Sequence, residues 1–598
     1  MTLKTIVKDE IEKMFPTCFT YIAPAGVSLL SCDCMQFTKG QPPMKHYPPK
    51  QEGDGYIENH RQLINYFLNQ LVKLTDKAPV AVACFDKASP VVKKIVCHEK
   101  RYERRCKQCQ AVAPELPYGR TADASFFDPK CDRGCINDQI LWFEEGPHLG
   151  TEYDPLLPSI RNDWSRFASD SRNLFYELYP LLTNELIKWE PPIGRMLYIS
   201  GLPFYTKVVD EVKFNEGFAP TSRRADIFAQ RIQLAPWPEE AARTYDMEIL
   251  NKVYVFEGRI NARGERMEPR REEVPAMYNT IHEGDNSIFF FSQFFGAGID
   301  GSIPKHVYFI NDGDAISIGL LRALEDIKGP ETTLKEHWLC LPLKSESKKS
   351  KLSALGSSQY KFQYINLTKM CRELNTHPQL RALQSPIASM VFLIILSGSD
   401  FFNGEFGYGI GLKGKINEKT GDLRVYGIWD TFFEGVNQYS HLVQYYPNVG
   451  DPSIERRIVI DRDLFRVFTE ACYTNKFGRK KGSTYEMLVK ASADQKNPKK
   501  RLPDEVIIYR WSSQIDWNVN YWANAFRNIY IDPFKVVDGK SYYGYDGATS
   551  TITNIVAMRH DPPLDEVYKR HFWKRAQAAP EPELKRAKVS ALDLIRGK

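Results

Sequence analysis

Acidic residues stand where apolar segments of this chain end, at seven points spread along most of its length. They are Asp33, Asp86, Glu283, Asp285, Asp312, Asp314 and Asp400. Four of them form two acid-Gly-Asp triplets, which start at Glu283 and Asp312 and are offset by 29 positions. Desolvating an unpaired carboxylate is costly, so several carboxylates beside apolar segments are hard to keep ionised without divalent cations. The pattern therefore predicts that distant acids converge on hard metal ions.

The first two acids end the strands of a predicted β-α-β unit. Residues 26–32 and 79–85 are short apolar runs that read as buried strands, and they end at Asp33 and Asp86. Between them, residues 59–75 carry apolar side chains at the spacing of one helical face. Strand, helix and strand in this order predict parallel pairing, with both acids at the carboxyl edge of the sheet.

Further elements extend this unit into an α/β fold. Residues 195–200 and 306–310 are predicted strands, and Glu283 and Asp285 are placed in the first turn of a helix, where the helix dipole favours negative charge. Residues 385–398 form an apolar element that the pattern leaves undecided between helix and strand. We expect a mostly parallel central sheet with helices on both faces, plus insertions and a C-terminal mixed module.

Length and charge limit what this fold can contain. At 598 residues the chain is too long for one ordinary core, so two or three structural units are expected. It has 80 basic and 74 acidic residues, which is close to balance. Any surface that binds nucleic acid must therefore come from local clustering of charge.

Changes in composition suggest where the units meet. Residues 344–358 and 491–503 are polar and charged, which is typical of a loop and a linker. The predicted parts are an N-terminal half of the core (1–200, with a cysteine-rich insertion at 106–135), an insertion (201–275), a second half of the core (276–490), an aromatic-rich C-terminal module (504–575) and a disordered tail (576–598).

The cellular location is inferred from three features. Residues 1–15 are charged and lack the apolar centre of a signal peptide. The longest apolar run, residues 390–396, is much shorter than the ~20 residues of a membrane-spanning helix. Twelve cysteines without an obvious disulfide framework suit a reducing compartment. We expect a soluble cytoplasmic protein, with a nuclear or virion-associated location as the alternative.

A basic helix is predicted directly after Asp86. Within residues 91–105, helical spacing places several side chains on one face: Lys93, Cys97, Lys100, Arg101 and Arg104. A cationic face beside a metal-binding acid would hold a phosphate near the metal. The alternative is a solvated charged face, which is the usual role of such a run.

Four cysteines follow this helix as two close pairs. They are Cys106, Cys109, Cys131 and Cys135, in a C-x2-C-x21-C-x3-C arrangement. Two pairs of thiolates suit tetrahedral Zn²⁺ at a structural site. The alternatives are four unrelated buried cysteines, a single pair, or a site in which His98 replaces one thiolate.

Residues 509–530 are rich in tryptophan and tyrosine, interleaved with arginine. Such a segment can stack unpaired bases. The alternative, which we favour, is that Trp517 and Tyr521 lie one helical turn apart and pack in the core.

The acids and their flanking residues resemble the FEN/XPG-like (PIN-like) 5′ nuclease superfamily, and most of all the Xrn-type 5′→3′ exoribonucleases. Asp86-Lys-Ala-Ser-Pro90 with Lys93 is similar to the D-G-x-x-P-x-x-K pattern of that family. The triplet at Glu283 resembles the E-G-E motif, and the segment from Asp312 resembles D-A-D-L-I-x-L-G-L. Gly-Ser-Asp400-Phe-Phe resembles G-N-D-F-[IL]-P.

This resemblance implies a function. Two Mg²⁺ or Mn²⁺ ions, held by the seven acids, would catalyse hydrolysis of phosphodiester bonds in single-stranded RNA or DNA from a 5′ end. Lys93, Lys100 and Arg101 match family residues that grip the 5′-phosphate, and Arg104 and Lys39 are expected beside the same path. The alternatives are a structure-specific flap endonuclease acting on DNA and an inactive, nuclease-like scaffold that binds nucleic acid.

Three of the departures from the family bear on its mechanism. Asp285 is one methylene shorter than the usual Glu, Cys97 stands where Gln is usual, and Lys39 replaces a histidine that stacks on the first base. Because of these changes, the stepwise mode and the selectivity for a 5′-phosphate are left open. A divergent chain without the long C-terminal extensions of cellular Xrn enzymes would suit a large DNA virus.

Overall fold

The structure is a computed structural model that describes part of the chain. The described residues are 3–39, 54–87, 92–93, 111, 179–202, 204, 250–281, 283–296, 301–310, 312–328, 334–343, 362–402, 427–446, 457–476, 490, 502–527, 529, 531–533, 535–537 and 540–545. The chain divides into two compact units. Unit 1 comprises Met1–Ser28 and Phe295–Asp546, and unit 2 comprises Leu29–Phe294 and Gly547–Lys598.

Helices and strands alternate through most of the described residues. The helices are α1 (Leu3–Met14), α2 (Met35–Lys39), α3 (Asp54–Thr75), α4 (Tyr179–Lys188), α5 (Gly284–Phe290), α6 (Ala315–Lys328), α7 (Leu367–Thr376), α8 (Pro386–Leu396), α9 (Ile428–Glu434), α10 (Arg462–Lys476) and α11 (Glu505–Ala525). The strands are β1 (Phe19–Thr20), β2 (Val27–Asp33), β3 (Val80–Cys84), β4 (Met196–Ser200), β5 (Val253–Glu257), β6 (Arg270–Glu273), β7 (Lys305–Phe309), β8 (Glu336–Pro342), β9 (Phe362–Asn366), β10 (Val443–Tyr445), β11 (Ile458–Ile460), β12 (Val536–Val537) and β13 (Lys540–Ser541). Short 3₁₀ turns occupy Pro16–Cys18, Pro275–Met277 and Phe291–Phe294.

The sheet of unit 2 has the strand order β2-β3-β4-β5-β6. β2, β3 and β4 run parallel, with Asp33 opposite Cys84 and Cys84 opposite Ser200. β3 reads Val-Ala-Val-Ala-Cys and is buried except at its first residue, as expected for a central parallel strand covered on both faces. The amphipathic helix α3 packs against β3, which confirms the predicted β-α-β unit.

The sheet of unit 1 has the strand order β1-β9-β8-β7. β7 and β8 are parallel, whereas β8 pairs with β9, and β9 with β1, in antiparallel fashion. α6 and α7 pack against β8 and against each other. Two small antiparallel pairs, β10 with β11 and β12 with β13, complete the strands described in this unit.

The prediction of an α/β fold is confirmed, but the prediction of a mostly parallel sheet is wrong. In unit 2, β5 and β6 add an antiparallel hairpin beside β4, and in unit 1 β9 and β1 run antiparallel to their neighbours. β5 and β6 come from residues that the sequence analysis assigned to an insertion. Antiparallel strands need no crossover helix between them, so the alternation of strands and helices that predicted the parallel strands did not reveal β5 and β6.

The apolar element at 385–398 is the helix α8. Ser385 precedes it and Pro386 occupies its first turn, where the missing N–H of proline leaves no helical hydrogen bond unmade. From Ile387 to Leu396 every residue is buried, so this is a core helix with no polar face. It packs against α6, α7 and α11 within unit 1.

Within the described part of the chain, no helix combines the length and apolar character needed to cross a lipid bilayer. The predicted loop at 344–358 and the disordered tail lie outside the described residues. The predicted domain boundaries stay predictions.

Candidate functional site

Asp33 and Asp86 lie at the carboxyl ends of neighbouring parallel strands. Asp33 is the last residue of β2 and is 4% exposed, while Asp86 follows β3 by two positions. The strand pairing continues past Asp33, because the Cys34 N–H donates to the Cys84 carbonyl at 2.8 Å. One carboxylate oxygen of Asp33 accepts the Met35 N–H at 2.9 Å, which fixes the side chain at the strand end.

Helix α5 brings two more acids to the same edge. Glu283 is its N-cap residue and Asp285 lies in its first turn, as predicted. The helix packs against β3, and the backbone N–H of Gly284 donates to Asp86 Oδ1 at 2.6 Å. A backbone donor at a helix N-terminus that binds a carboxylate fits the positive end of the helix dipole.

Gly284 approaches both strand-end acids closely. A Cβ atom at this position would lie 2.9 Å from Asp33 Oδ1, 3.1 Å from Asp86 Oδ1 and 3.0 Å from the Cys84 carbonyl oxygen. The first distance is too short for a real Cβ atom and the other two are tight, so any side chain here would force Asp33 and its neighbours to shift by a few tenths of an ångström. Asp33, Asp86 and the turn that carries Glu283 and Asp285 therefore converge within unit 2.

Glu283 is buried, with 2% of its surface exposed. Burial raises its pKa well above the usual range, and the charges of Asp285 and Asp86 raise it further, while the neighbouring amine of Lys93 lowers it. Lys93 forms an ion pair with Glu283 Oε1. The other oxygen, Oε2, is buried and has no hydrogen-bond partner among the described residues. This carboxylate thus retains a buried oxygen that could bind a cation.

The four acids of unit 2 suit a hard divalent cation. Their donors are carboxylate oxygens, which Mg²⁺ and Mn²⁺ prefer, and Glu283 Oε2 is a buried oxygen that lacks a hydrogen bond from the described residues. The absence of a Cβ at Gly284 leaves room for the acids to face one another. A search of the described residues finds no set of three or more His, Cys, Asp or Glu side chains already arranged around one metal position. The metal prediction therefore stays a prediction.

Lys87, which the sequence analysis did not single out, lies beside these acids and is 1% exposed. Its Nζ donates to Asn251 Oδ1 at 3.2 Å and to the Asn279 carbonyl. Burial lowers its pKa to about 7. Nothing in the sequence indicated this burial, because a lysine next to an acid is ordinarily exposed.

The remaining three acids belong to unit 1. Asp312 follows β7 and is half-buried, and its Oδ1 accepts the Asp314 N–H at 3.3 Å. Asp314 is buried and directly precedes α6, where its carbonyl accepts the Ile318 N–H at 3.1 Å. Both acids thus lie between β7 and α6, and Asp312 follows a strand as predicted.

Asp400 stands in a tight turn after α8. Gly398 has a φ of +128°, which favours glycine, and Ser399 forms a bridge to Phe402. The Ser399 hydroxyl donates to Asn518 Oδ1 at 2.8 Å and accepts the Phe401 N–H at 3.1 Å. The turn is therefore anchored on α11. Convergence of the three unit 1 acids with the four acids of unit 2 stays a prediction.

Three neighbouring aromatic residues of α11 are part of the core. Trp517 and Trp522 are fully buried, Tyr521 is 5% exposed, and Phe401 packs among all three. The rings of Trp517 and Tyr521 stack with centroids 5.0 Å apart. Burial favours the packing alternative over base stacking for these residues.

Several predicted site residues cannot be placed. The side chain of Lys39 lies outside the described residues, although its backbone belongs to α2. Seven further residues lie wholly outside the described residues: Lys100, Arg101, Arg104, Cys106, Cys109, Cys131 and Cys135. The phosphate-binding face beyond Lys93 and the zinc site stay predictions.

A buried polar network in unit 1 was also missed. The Tyr308 hydroxyl bonds to His337 Nδ1 at 2.7 Å, His337 Nε2 to Asp326 Oδ2 at 2.8 Å, and Arg322 Nη1 to Asp326 Oδ1 at 2.5 Å. Burial lowers the pKa of His337. Because a carboxylate only accepts, His337 Nε2 is the donor to Asp326, and in the neutral form of the ring Nδ1 accepts from the Tyr308 hydroxyl. In the sequence, only the i, i+4 spacing of Arg322 and Asp326 on a helix indicated that these two side chains pair.

No protein-family model matches the chain, and a search of curated proteins finds no match.

Proposed function

We propose that this protein is a divalent-metal-dependent nuclease that hydrolyses phosphodiester bonds of single-stranded RNA from the 5′ end. The observation that carries the proposal is the meeting of Asp33, Asp86 and the Glu283-Gly-Asp285 turn. These residues come from three separated segments of unit 2, yet Gly284 contacts Asp86 and leaves no room for a methyl group beside Asp33. Structural acids at turns have no need to gather in this way.

The four acids of unit 2 would hold the cations. Asp33 is fixed at its strand end by the Met35 N–H and Asp86 by the Gly284 N–H, so each is oriented before a metal arrives. The raised pKa of Glu283 reflects repulsion by its acidic neighbours as well as burial, and a bound cation would relieve both. When bound, Mg²⁺ or Mn²⁺ activates water and stabilises the leaving oxygen.

Lys93 would serve the phosphate of the substrate. Its amine already lies beside Glu283, and the side chain is 20% exposed, so a phosphate that enters the site can reach it. The phosphate-binding roles of Lys39, Lys100, Arg101 and Arg104, the metal-binding roles of Asp312, Asp314 and Asp400, and a structural Zn²⁺ at the four cysteines remain parts of this proposal. A cytoplasmic location is proposed with them.

The test is a cleavage assay with the full chain. Single-stranded RNA with a 5′-monophosphate and a 3′ label, matched single-stranded DNA and a flap DNA would be incubated with Mg²⁺, Mn²⁺ or a chelator. We expect RNA to shorten from its 5′ end only when the metal is present. Asp86→Asn keeps an acceptor for the Gly284 N–H but removes a charge, so cleavage should fall by at least about 10²-fold.

Asp76→Asn is the matched control, because Asp76 is an exposed acid beyond the end of α3. This variant should cleave at the wild-type rate. Cutting of the flap at its junction, with RNA left intact, would favour the endonuclease alternative. Binding of nucleic acid without cleavage of any substrate would favour the inactive scaffold.

A further inference from the structure

Lys87 makes contacts that differ from those of an ordinary lysine. Its amine is buried and, among the described residues, donates to two neutral acceptors, the Asn251 side chain and the Asn279 backbone carbonyl. No salt bridge to Lys87 occurs among the residues that the structure describes. Desolvating an amine without a carboxylate partner is costly, so these two contacts are expected to matter.

The first contact links β3 to the segment before β5. Asn251 accepts from Lys87 through its side chain, and its own backbone carbonyl accepts the Asn279 N–H at 2.9 Å. The Asn251 amide also donates to the Tyr278 hydroxyl at 3.2 Å. Lys87 and Asn251 therefore hold the chain on both sides of Asn279.

The second contact leads to the acids through a series of hydrogen bonds. Asn279 is fully buried, and its Oδ1 accepts the Ile281 N–H at 2.9 Å. The Ser287 hydroxyl lies 3.4 Å from the Ile281 carbonyl and donates to the Glu283 carbonyl at 2.8 Å. The chain is thus fixed at Asn279 by Lys87 and at Glu283 by α5.

We propose that Lys87 is a positioning residue, which fixes the backbone of Asn279 beside β3 and so sets the placement of Glu283 and Asp285 relative to Asp86. This inference rests on the proposed function, since it concerns the metal-binding geometry of the same acids. Lys87 itself does not touch the reacting atoms. The resembled pattern has glycine at this position. A glycine has no side chain and cannot make the hydrogen bonds that the Lys87 amine donates to Asn251 and Asn279.

The test measures Mn²⁺ affinity by calorimetric titration of the full chain, in wild type and in Lys87→Met. Methionine fills a similar volume but donates no hydrogen bond. Loss of a residue that orients metal ligands typically weakens metal affinity by about 10–100-fold, and we expect a decrease of this size. Urea unfolding of the same samples reports stability separately. A merely structural role would lower the unfolding midpoint and leave the Mn²⁺ affinity of the folded protein unchanged.

Lys73→Met is the matched control, because Lys73 is exposed in the last turn of α3. It should bind Mn²⁺ as wild type does. If Lys87→Met does not fold, Asn251→Ala replaces it, since this variant removes one acceptor of the Lys87 amine and should also weaken Mn²⁺ binding. If the folded variant bound Mn²⁺ with wild-type affinity, the positioning role of Lys87 would be wrong, while the proposed function would stand. Absence of Mn²⁺ binding by the wild-type protein would overturn the proposed function as well.

Discussion

Ser399 donates its hydroxyl to the side-chain oxygen of Asn518 across 2.8 Å, and both side chains are buried. Ser399 immediately precedes Asp400, and Asn518 lies in the middle of α11. The Phe401 carbonyl, on the other side of Asp400, accepts the Tyr545 hydroxyl at 2.8 Å. The Asp400 turn is therefore held from both sides by the C-terminal residues of unit 1.

A double-mutant cycle would measure this anchor. Ser399→Ala leaves Asn518 Oδ1 buried without its donor, so we expect a loss of about 1–3 kcal/mol in the free energy of unfolding. Asn518→Leu should also destabilise, and the double variant should lose less than the sum of the two, because the bond is broken only once. Urea unfolding of the four proteins gives the coupling energy. Strict additivity would contradict a direct interaction between the two side chains.

Gly284 provides a sharper test of how closely the acids approach. In Gly284→Ala the new Cβ would meet oxygens of Asp33, Cys84 and Asp86, so α5 or the acids must move. A displacement of about 1 Å at a reacting centre can cost about 10²-fold in rate; the shift required here is smaller, so we expect kcat for RNA cleavage to fall by less than that, by about 10-fold. The matched control is Gly296→Ala, because a Cβ there meets no atom within 4 Å. Equal rates for the two variants would argue against a packed acid cluster.

The central part of the fold could be predicted because its signals are local. The apolar runs of β2 and β3 and the spacing of α3 lie close together in sequence, and each strand ends at an acid. The orientation of β5 could not be predicted in this way. Its Val-Tyr-Val-Phe run indicates a strand, but only its pairing with β4 decides whether it runs antiparallel.

The site was predictable to a similar degree. Asp33, Asp86, Glu283 and Asp285 could be found because carboxylates at strand ends and helix starts are visible in the sequence. Lys87 could not, since a lysine next to an acid is ordinarily exposed. Its burial depends on Asn251 and Asn279, which are distant in sequence and offer only neutral acceptors.

Asp326 should contribute to stability in a pH-dependent way. Although burial opposes the charge of Asp326, its hydrogen bond with His337 and the charge of Arg322 lower its pKa to about 2. A carboxyl whose folded pKa is depressed stabilises the protein above its unfolded pKa, and this contribution disappears as the pH falls through about 2. Asp326→Asn should lose about 2 kcal/mol near neutral pH, and its difference from wild type should shrink below about pH 4. Urea unfolding of wild type and Asp326→Asn between neutral and acidic pH measures this difference. The exposed Asp76→Asn is the control. A difference in stability between wild type and Asp326→Asn that stays the same at acidic pH would contradict the prediction.

His306 should make the protein less stable as the pH falls below neutral. Burial lowers its pKa well below 6.5; His337, Lys335 and Arg322 lower it further, while Asp326 raises it. Neither ring nitrogen has a hydrogen-bond partner among the described residues. Because the unfolded chain then binds a proton that the folded chain excludes, the free energy of unfolding should fall as the pH drops below 6.5, by at most about 1.4 kcal/mol per pH unit. His306→Leu removes the titrating ring, so its free energy of unfolding should exceed that of wild type by more at about pH 5.5 than at about pH 7.5. His441 is exposed, so His441→Leu is the control and should keep the wild-type change of stability with pH. If the stability of His306→Leu and of wild type changed in parallel with pH, His306 would be protonated equally in the folded and unfolded states, and the prediction would be wrong.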